Sequence, residues 1–167
     1  HSSVSGTVKS IEPRLTATGM KVNAVIVEND DLYESVELEP QKKKIEELEA
    51  AEIRALVKEA GVVGMGGAGF PTHVKLTPKN EGDIDTIIVN AAECEPYLTS
   101  DYRRILEETD KLIDGLKVVL RIFPKATGHI AVEDNKPDAI RLLKEKTKGE
   151  ERIVVDTLKT KYPQGAE

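Results

Sequence analysis

The sequence predicts an α/β protein, a parallel sheet flanked by helices and preceded by a small β module. Three observations predict it. Residues 84–90, Ile-Asp-Thr-Ile-Ile-Val-Asn, form a near-continuous β-branched run, as a buried parallel strand requires. Ile105, Leu106, Leu112, Ile113, Leu116, Val119, Leu120 and Phe123 recur at three- and four-residue steps, the stripe of an amphipathic helix that Pro124 stops. From residue 84 onward, strand and helix patterns alternate in the order strand–helix–strand–helix–strand.

The elements follow in order. Residues 1–40 read as a small β module: Val4, Gly6 and Val8 alternate, Pro13 breaks the run, and Thr18-Gly19 turns the chain. Val22 to Val27 is a second strand, Glu28 to Asp31 a turn, and Leu32 to Leu38 a third strand. Pro40 and Lys42-Lys43-Lys44 mark a boundary, with 41–167 as the second domain. Residues 45–60 carry helical periodicity through Ile45, Leu48, Leu56 and Ala60, and a glycine-rich loop, Gly61 to Pro71, follows. Beyond the long helix, His129 to Val132 is a short strand. Asn135 is placed to cap a helix that starts near Pro137 and runs to Lys148-Gly149. Ile153 to Leu158 is the last strand.

Composition excludes several classes. The chain has 167 residues, a formal charge of −6 and a pI near 5.3, so it lacks the basic footprint of nucleic-acid or anionic-membrane binding. The longest run without a polar residue, Ala60 to Phe70, is far short of the roughly 20 apolar residues a spanning helix needs. One cysteine, Cys94, leaves no internal disulfide, and three unspaced histidines give no metal site. No secretory leader is legible. The opening at His1 inside a β pattern and the stop at 165–167 without a closing element read as a segment of a longer protein, its second domain truncated at the C-terminus.

Two constellations carry chemistry. Gly64-Met65-Gly66-Gly67-Ala68-Gly69-Phe70-Pro71 contains the letters Gly-x-Gly-x-x-Gly, but a helix precedes it where a dinucleotide fingerprint needs a strand, and no Gly-Lys-Ser/Thr closes it as in a Walker loop. Four glycines in six positions let backbone amides approach a ligand closely; the same composition also serves a tight connector between packed elements. The second is Asn90-Ala91-Ala92-Glu93-Cys94-Glu95-Pro96, just past the carboxyl end of a parallel strand, where open α/β sheets place their ligands. Alone, its two acids read as solvated loop residues. Together the two segments suggest a flavin or nucleotide site. Cys94 reads as a small buried thiol.

Gly64-x-Gly66-Gly67-x-Gly69-Phe70-Pro71-Thr72-x-x-Lys75 followed by Asn90-Ala91-x-Glu93-x-Glu95-Pro96 resembles the flavin- and NADH-binding subunit of respiratory complex I and its relatives. Within that superfamily the chain is most similar to the RnfC family of Rnf electron transport complexes, through Gly61–Lys75, Asn90–Tyr97, Glu133-Asp134-Asn135-Lys136-Pro137 and Tyr162-Pro163-Gln164-Gly165-Ala166-Glu167. Val4-Ser5-Gly6-Thr7-Val8 is similar to the family's lipoyl-like N-terminal module, of which 1–40 would be part.

The resemblance implies a complex I flavin-subunit-like FMN-binding domain. Gly64, Gly66, Gly67 and Gly69 would surround the FMN phosphate and ribityl chain, with Lys75 supplying charge. Asn90 and Glu93 would meet the flavin; Phe70 and Glu95 would contact NADH, by stacking and by hydrogen bonds to a ribose. No residue acts as a protein-borne catalyst. The family's [4Fe–4S] clusters would lie in the full-length protein outside this segment. Three positions depart from the complex I pattern: Ala92 replaces an acid, Leu76 an aromatic, and Val132-Glu133-Asp134-Asn135 an Arg-Gly-Glu segment. The implied function is hydride transfer from NADH to FMN in an NADH:ferredoxin oxidoreductase coupled to ion transport. The implied partners are the other subunits of a membrane-bound complex, and ferredoxin indirectly, at the cytoplasmic side of the bacterial membrane. The alternatives are the core of a flavin-dependent cobalamin reductase of bacterial microcompartments and a non-catalytic docking module.

Overall fold

A computed structural model describes residues 1–36, 41–65 and 69–165. The chain divides into two compact units, 1–42 and 43–167.

In the first unit, β1 (Gly6–Leu15) and β2 (Lys21–Asn29) form an antiparallel hairpin in which Val8 faces Val27 and Ile11 faces Val25. The turn is closed by Thr16 N–H donating to the Met20 carbonyl at 2.8 Å and by Gly19 at φ +79°. Pro13 does not end β1 as expected: it pairs opposite Asn23 inside the strand. With a single neighbouring strand, every second N–H points away from the ladder, and there a proline costs no hydrogen bond. The third strand expected from Leu32 is also not formed over 32–36. Tyr33 sits at φ +56°, and the Glu34 N–H donates to Ser5 Oγ at 3.2 Å rather than to a strand partner. Residues 37 and 38 of that expected strand lie outside the described residues.

In the second unit, the helix expected over 45–60 is two elements, a short 3-10 turn at Ile45–Glu47 and α1 (Ala50–Glu59). Leu48 is extended (φ −84°, ψ 136°) because its side chain enters the core and its carbonyl accepts from Arg121 Nε at 2.9 Å instead of from a following helical N–H. Glu52 then caps the new start, its carboxylate accepting the Glu49 N–H at 2.9 Å. A one-turn helix α2 (Thr72–Lys75) follows the glycine loop.

The strands β3 (Thr86–Ala91), β4 (Thr127–Glu133) and β5 (Ile153–Leu158) make a parallel sheet in the order β3-β4-β5. Two helices connect them, α3 (Ser100–Ile122) and α4 (Pro137–Lys146). Both connections step the same way across the sheet, so right-handed crossovers put both helices on one face. Ile130 and Val132 of β4 are buried on that face, with Ile105, Ile113, Leu116 and Leu120 of α3 and Ala139 and Leu143 of α4 also in the core. Gly128 marks the closest approach, since a Cβ there would stand 2.9 Å from Leu116 Cδ2. The other face is less covered, and Ile88 in β3 is 68% exposed. The run 84–90 is therefore an edge strand alternately covered and open, not the strand buried on both faces that its apolar letters suggested. The helix after β4 starts at Pro137 as expected, but Lys136 is its N-cap residue, and Asn135 instead accepts from Lys136 Nζ at 3.3 Å. It ends at Lys146, before the expected Lys148.

Candidate functional site

The carboxyl ends of β3 and β4 lie side by side, with Asn90 opposite Ala131 and Ala91 opposite Val132. The expected site segment 90–95 leaves β3 here. Asn90 Oδ1 accepts the Ala92 N–H at 3.1 Å, an Asx turn that bends the chain off the sheet, and Nδ2 donates to the Gly165 carbonyl at 3.0 Å. Each group keeps capacity for one more hydrogen bond.

Glu93 faces the start of α3. Its carboxylate accepts the N–H groups of Asp101 at 2.8 Å and Tyr102 at 3.2 Å, and the Ser100 hydroxyl at 3.3 Å. Those amides are orphans of the first helical turn, and a carboxylate at that end also meets the positive pole of the helix. Glu95 is exposed at the outer end of the same segment.

Residues 159–165 run across the same ends of the strands. After β5, Asp134 at the end of β4 accepts the Thr160 hydroxyl and, at 3.1 Å, the Thr160 N–H, and Lys159 Nζ lies 3.3 Å from its other oxygen. Further on, the Gln164 N–H donates to Cys94 Sγ at 3.2 Å and the Cys94 thiol to the Gln164 carbonyl at 3.1 Å. Cys94 is half-buried and serves as a tie. This crossing of the sheet ends was not foreseen from the sequence, because it depends on contacts between residues 70 positions apart.

The Thr160 hydroxyl above all, then the Thr160 N–H and Lys159, hold the Asp134 carboxyl down to about 2 from 3.8. A lowered folded value contributes stability above the unfolded value and loses it as pH falls. Thermal unfolding of the wild type and of Asp134→Asn should therefore differ at neutral pH and converge as pH drops from about 4 toward 2. A difference that persists unchanged through that window would remove Asp134 as the tie.

The glycine loop belongs to a separate part of this unit. Its neck is closed by a Val63–Pro71 bridge, with the Gly64 N–H donating to the Phe70 carbonyl at 2.8 Å and Thr72 N–H to Val62 at 3.0 Å. Gly69 takes φ +62°, a left-handed conformation that a side chain would strain. Phe70 is 53% exposed and Lys75 is exposed on α2. Arg54 of α1 fastens this part, donating from Nε to the Leu76 carbonyl at 2.7 Å and pairing with Glu81 at 2.6 Å. Gly66 and Gly67 lie outside the described residues. Among the described residues no hydrogen bond joins the loop to the 90–95 segment, so the structure assembles Asn90, Glu93 and Glu95 in one place and Gly64, Gly69, Phe70 and Lys75 in another.

Sequence reasoning gave no role to Glu133 and Lys136. Glu133 is 0% and Lys136 8% exposed, and they pair at 3.0 Å directly beneath the 90–95 segment. Acid, lysine and Pro137 within five residues of a strand end were the available signal.

Among the described residues no helix is long and apolar enough to cross a membrane, and no group of acidic, histidine or cysteine side chains could hold a metal ion.

Residues 57–167 match the Nuo51 FMN-binding domain family, and residues 1–32 match the RnfC barrel sandwich hybrid domain. The chain belongs to the Nuo51 FMN-binding domain family. Its relatives there are RnfC proteins. The RnfC protein of the proton-translocating ferredoxin:NAD(+) oxidoreductase complex of Clostridium ljungdahlii is 45% identical over 88% of this chain and 32% of its own length. Its counterpart in the Na(+)-translocating complex of Acetobacterium woodii is 42% identical over 100% of this chain and 38% of its own. The chain thus spans about a third of the length of these relatives. Among solved structures, the NAD+-reducing [NiFe]-hydrogenase in its H2-reduced state shares the fold, with a TM-score of 0.53 at 22% identity over 65% of this chain and 20% of that one.

Proposed function

We propose that residues 41–167 are the FMN- and NADH-binding part of an RnfC-type subunit, and that residues 1–40 are part of its N-terminal β module. The observation that carries this reading is the placing of Asn90 and Glu93 at the carboxyl end of an edge strand, where parallel sheets offer their ligand crevice. The donor set suits FMN. Lys75 offers an exposed ammonium for a phosphate, the Gly69 conformation keeps the loop backbone clear of side chains, and the Asn90 amide retains a donor and an acceptor for a flavin edge.

Gly64, Gly66, Gly67, Gly69 and Lys75 would hold the phosphate and ribityl chain, and Asn90 the ring. Glu93 would present a charge already fixed by the α3 amides. Phe70 has an open ring face for stacking on NADH, and Glu95 a solvent-facing carboxylate for its ribose hydroxyls. When bound, FMN supplies the acceptor for a hydride from NADH and the source of single electrons for [4Fe–4S] clusters elsewhere in the full-length protein. The chain's own residues bind and orient the two nucleotides. Electrons would pass through other subunits of an ion-translocating complex, with ferredoxin at the far end, and the subunit would work peripherally on the cytoplasmic side of the membrane. The names of the relatives support this assignment over a cobalamin reductase.

The test is made on the full-length protein. Lys75→Met is expected to weaken FMN about tenfold by fluorescence quenching, the loss of one charge-assisted hydrogen bond to phosphate. Glu95→Gln should leave FMN affinity unchanged while raising the NADH dissociation constant in stopped-flow flavin reduction. FMN affinity indifferent to Lys75 would overturn the phosphate assignment, and NADH affinity indifferent to Glu95 would place the dinucleotide elsewhere.

A further inference from the structure

The segment Glu133-Asp134-Asn135-Lys136-Pro137 connects β4 to α4, and most of its polar atoms are spent on neighbouring segments. Asp134 ties residues 159–160, as described above. Lys136 does something different. Its ammonium donates to Glu133 Oε2 at 3.0 Å, to Asn135 Oδ1 at 3.3 Å and to the main-chain carbonyl of Glu93 at 3.4 Å. These three acceptors use its three hydrogens.

The pair is buried, and Glu133 Oε1 has no hydrogen-bond partner. Buried ion pairs are expensive to desolvate, and well-packed apolar side chains of the same volume are often no worse for stability. The unpaired Oε1 adds a further penalty. Stability therefore does not account for an acid and a lysine at these two positions, whereas the third contact does: the Lys136–Glu93 hydrogen bond is the link from the end of β4 to the backbone of the 90–95 segment. Glu93 is held from two sides, its carboxylate by α3 and its carbonyl by Lys136.

We propose that Lys136, fixed by Glu133, is a positioning residue that holds the backbone of residues 90–95 so that Asn90 and Glu95 face the flavin nucleotide. The proposal rests on the flavin reading above. Lys136 acts through the loop and does not touch FMN. Glu133 aims the ammonium, since a lysine without a buried counter-charge at this depth would turn toward water.

The test uses full-length protein stripped of flavin and titrated with FMN. Lys136→Met is expected to raise the FMN dissociation constant about tenfold, and Lys136→Arg, which keeps a donor in reach, to stay within about threefold of wild type. Because Lys136→Met strands Glu133 as a buried charge, the double variant Glu133→Gln/Lys136→Met is measured beside it. It should melt close to the wild type, lose FMN affinity to the same extent, and show faster amide exchange over residues 91–98 while α3 stays protected. A double variant with wild-type FMN affinity and exchange overturns the proposal. So does a double variant that fails to fold, because the pair would then be structural only. A wild type that binds no FMN overturns the flavin reading, and this proposal with it.

Discussion

Replacing Arg152 by methionine is expected to destabilise the second unit by about 2–4 kcal/mol, the joint value of several charge-assisted hydrogen bonds. Arg152 stands just before β5 and gathers carbonyls from the end of α3 and the loop after it. Nε donates to Ala126 at 2.9 Å, and Nη2 lies 3.1 Å from the Leu120 carbonyl, 2.7 Å from Phe123 and 2.6 Å from Ala126. The last carbonyls of a helix have no partner within it and carry its negative pole, so a cation there both satisfies them and meets a favourable field. Methionine keeps most of the volume and removes every donor. Arg152→Lys should recover only part of the loss, because a single ammonium does not present a planar fork to carbonyls in different directions. In urea, with a slope of about 1–3 kcal/mol per molar, the methionine variant should unfold at least about 1 M earlier. A shift under about 0.3 M would mean that water replaces the guanidinium at little cost.

Ile130→Ala is expected to cost about 3–4 kcal/mol, within the range for emptying a fully buried aliphatic site. Ile130 lies in the central strand with 0% exposure, paired in register with Val89 of β3 and Val155 of β5, on the face that α3 and α4 cover. The neighbours are β-branched and stiff, so the cavity would close poorly. Ile130→Val, which removes one methyl group, should cost about 1 kcal/mol. If both variants unfold at the wild-type denaturant concentration, the helices do not pack on β4 as described. β4 also delivers Glu133 and Asp134 to the rim of the candidate site. Loosening the strand should therefore weaken FMN binding in the alanine variant more than in the valine one.

Legibility followed the range of the interactions. α3 could be read because its apolar stripe repeats along the helix itself, and β5 because six consecutive residues carry the pattern. Pro137 at the start of α4 is a local rule and held. Three readings failed where a distant contact outweighed a local preference. Leu48 left the helical path because the core took its side chain and Arg121 took its carbonyl. Asn135 did not cap α4 because Lys136 claimed its oxygen. Ile88 looked buried by composition, but composition does not say which strand stands at the edge. Pro13 is the opposite case: a residue expected to break a strand is tolerated because the hairpin has an unpaired side.

The sequence by itself determined the class of the chain, α/β with a parallel sheet, and the segments that resemble a flavin-binding family. Hydrophobic period, turn residues and short motifs are properties of neighbouring letters, and they survive without knowledge of the fold. Only the tertiary structure decided that Glu93 is clasped by the α3 amides, that residues 159–165 cross the strand ends, and that Lys136 reaches from β4 to the Glu93 carbonyl. Each of these joins residues 8 to 75 positions apart. Which distant donor finds which acceptor is set by strand order and crossover hand, because those bring the carboxyl ends of β3 and β4 together and leave their polar groups to satisfy one another.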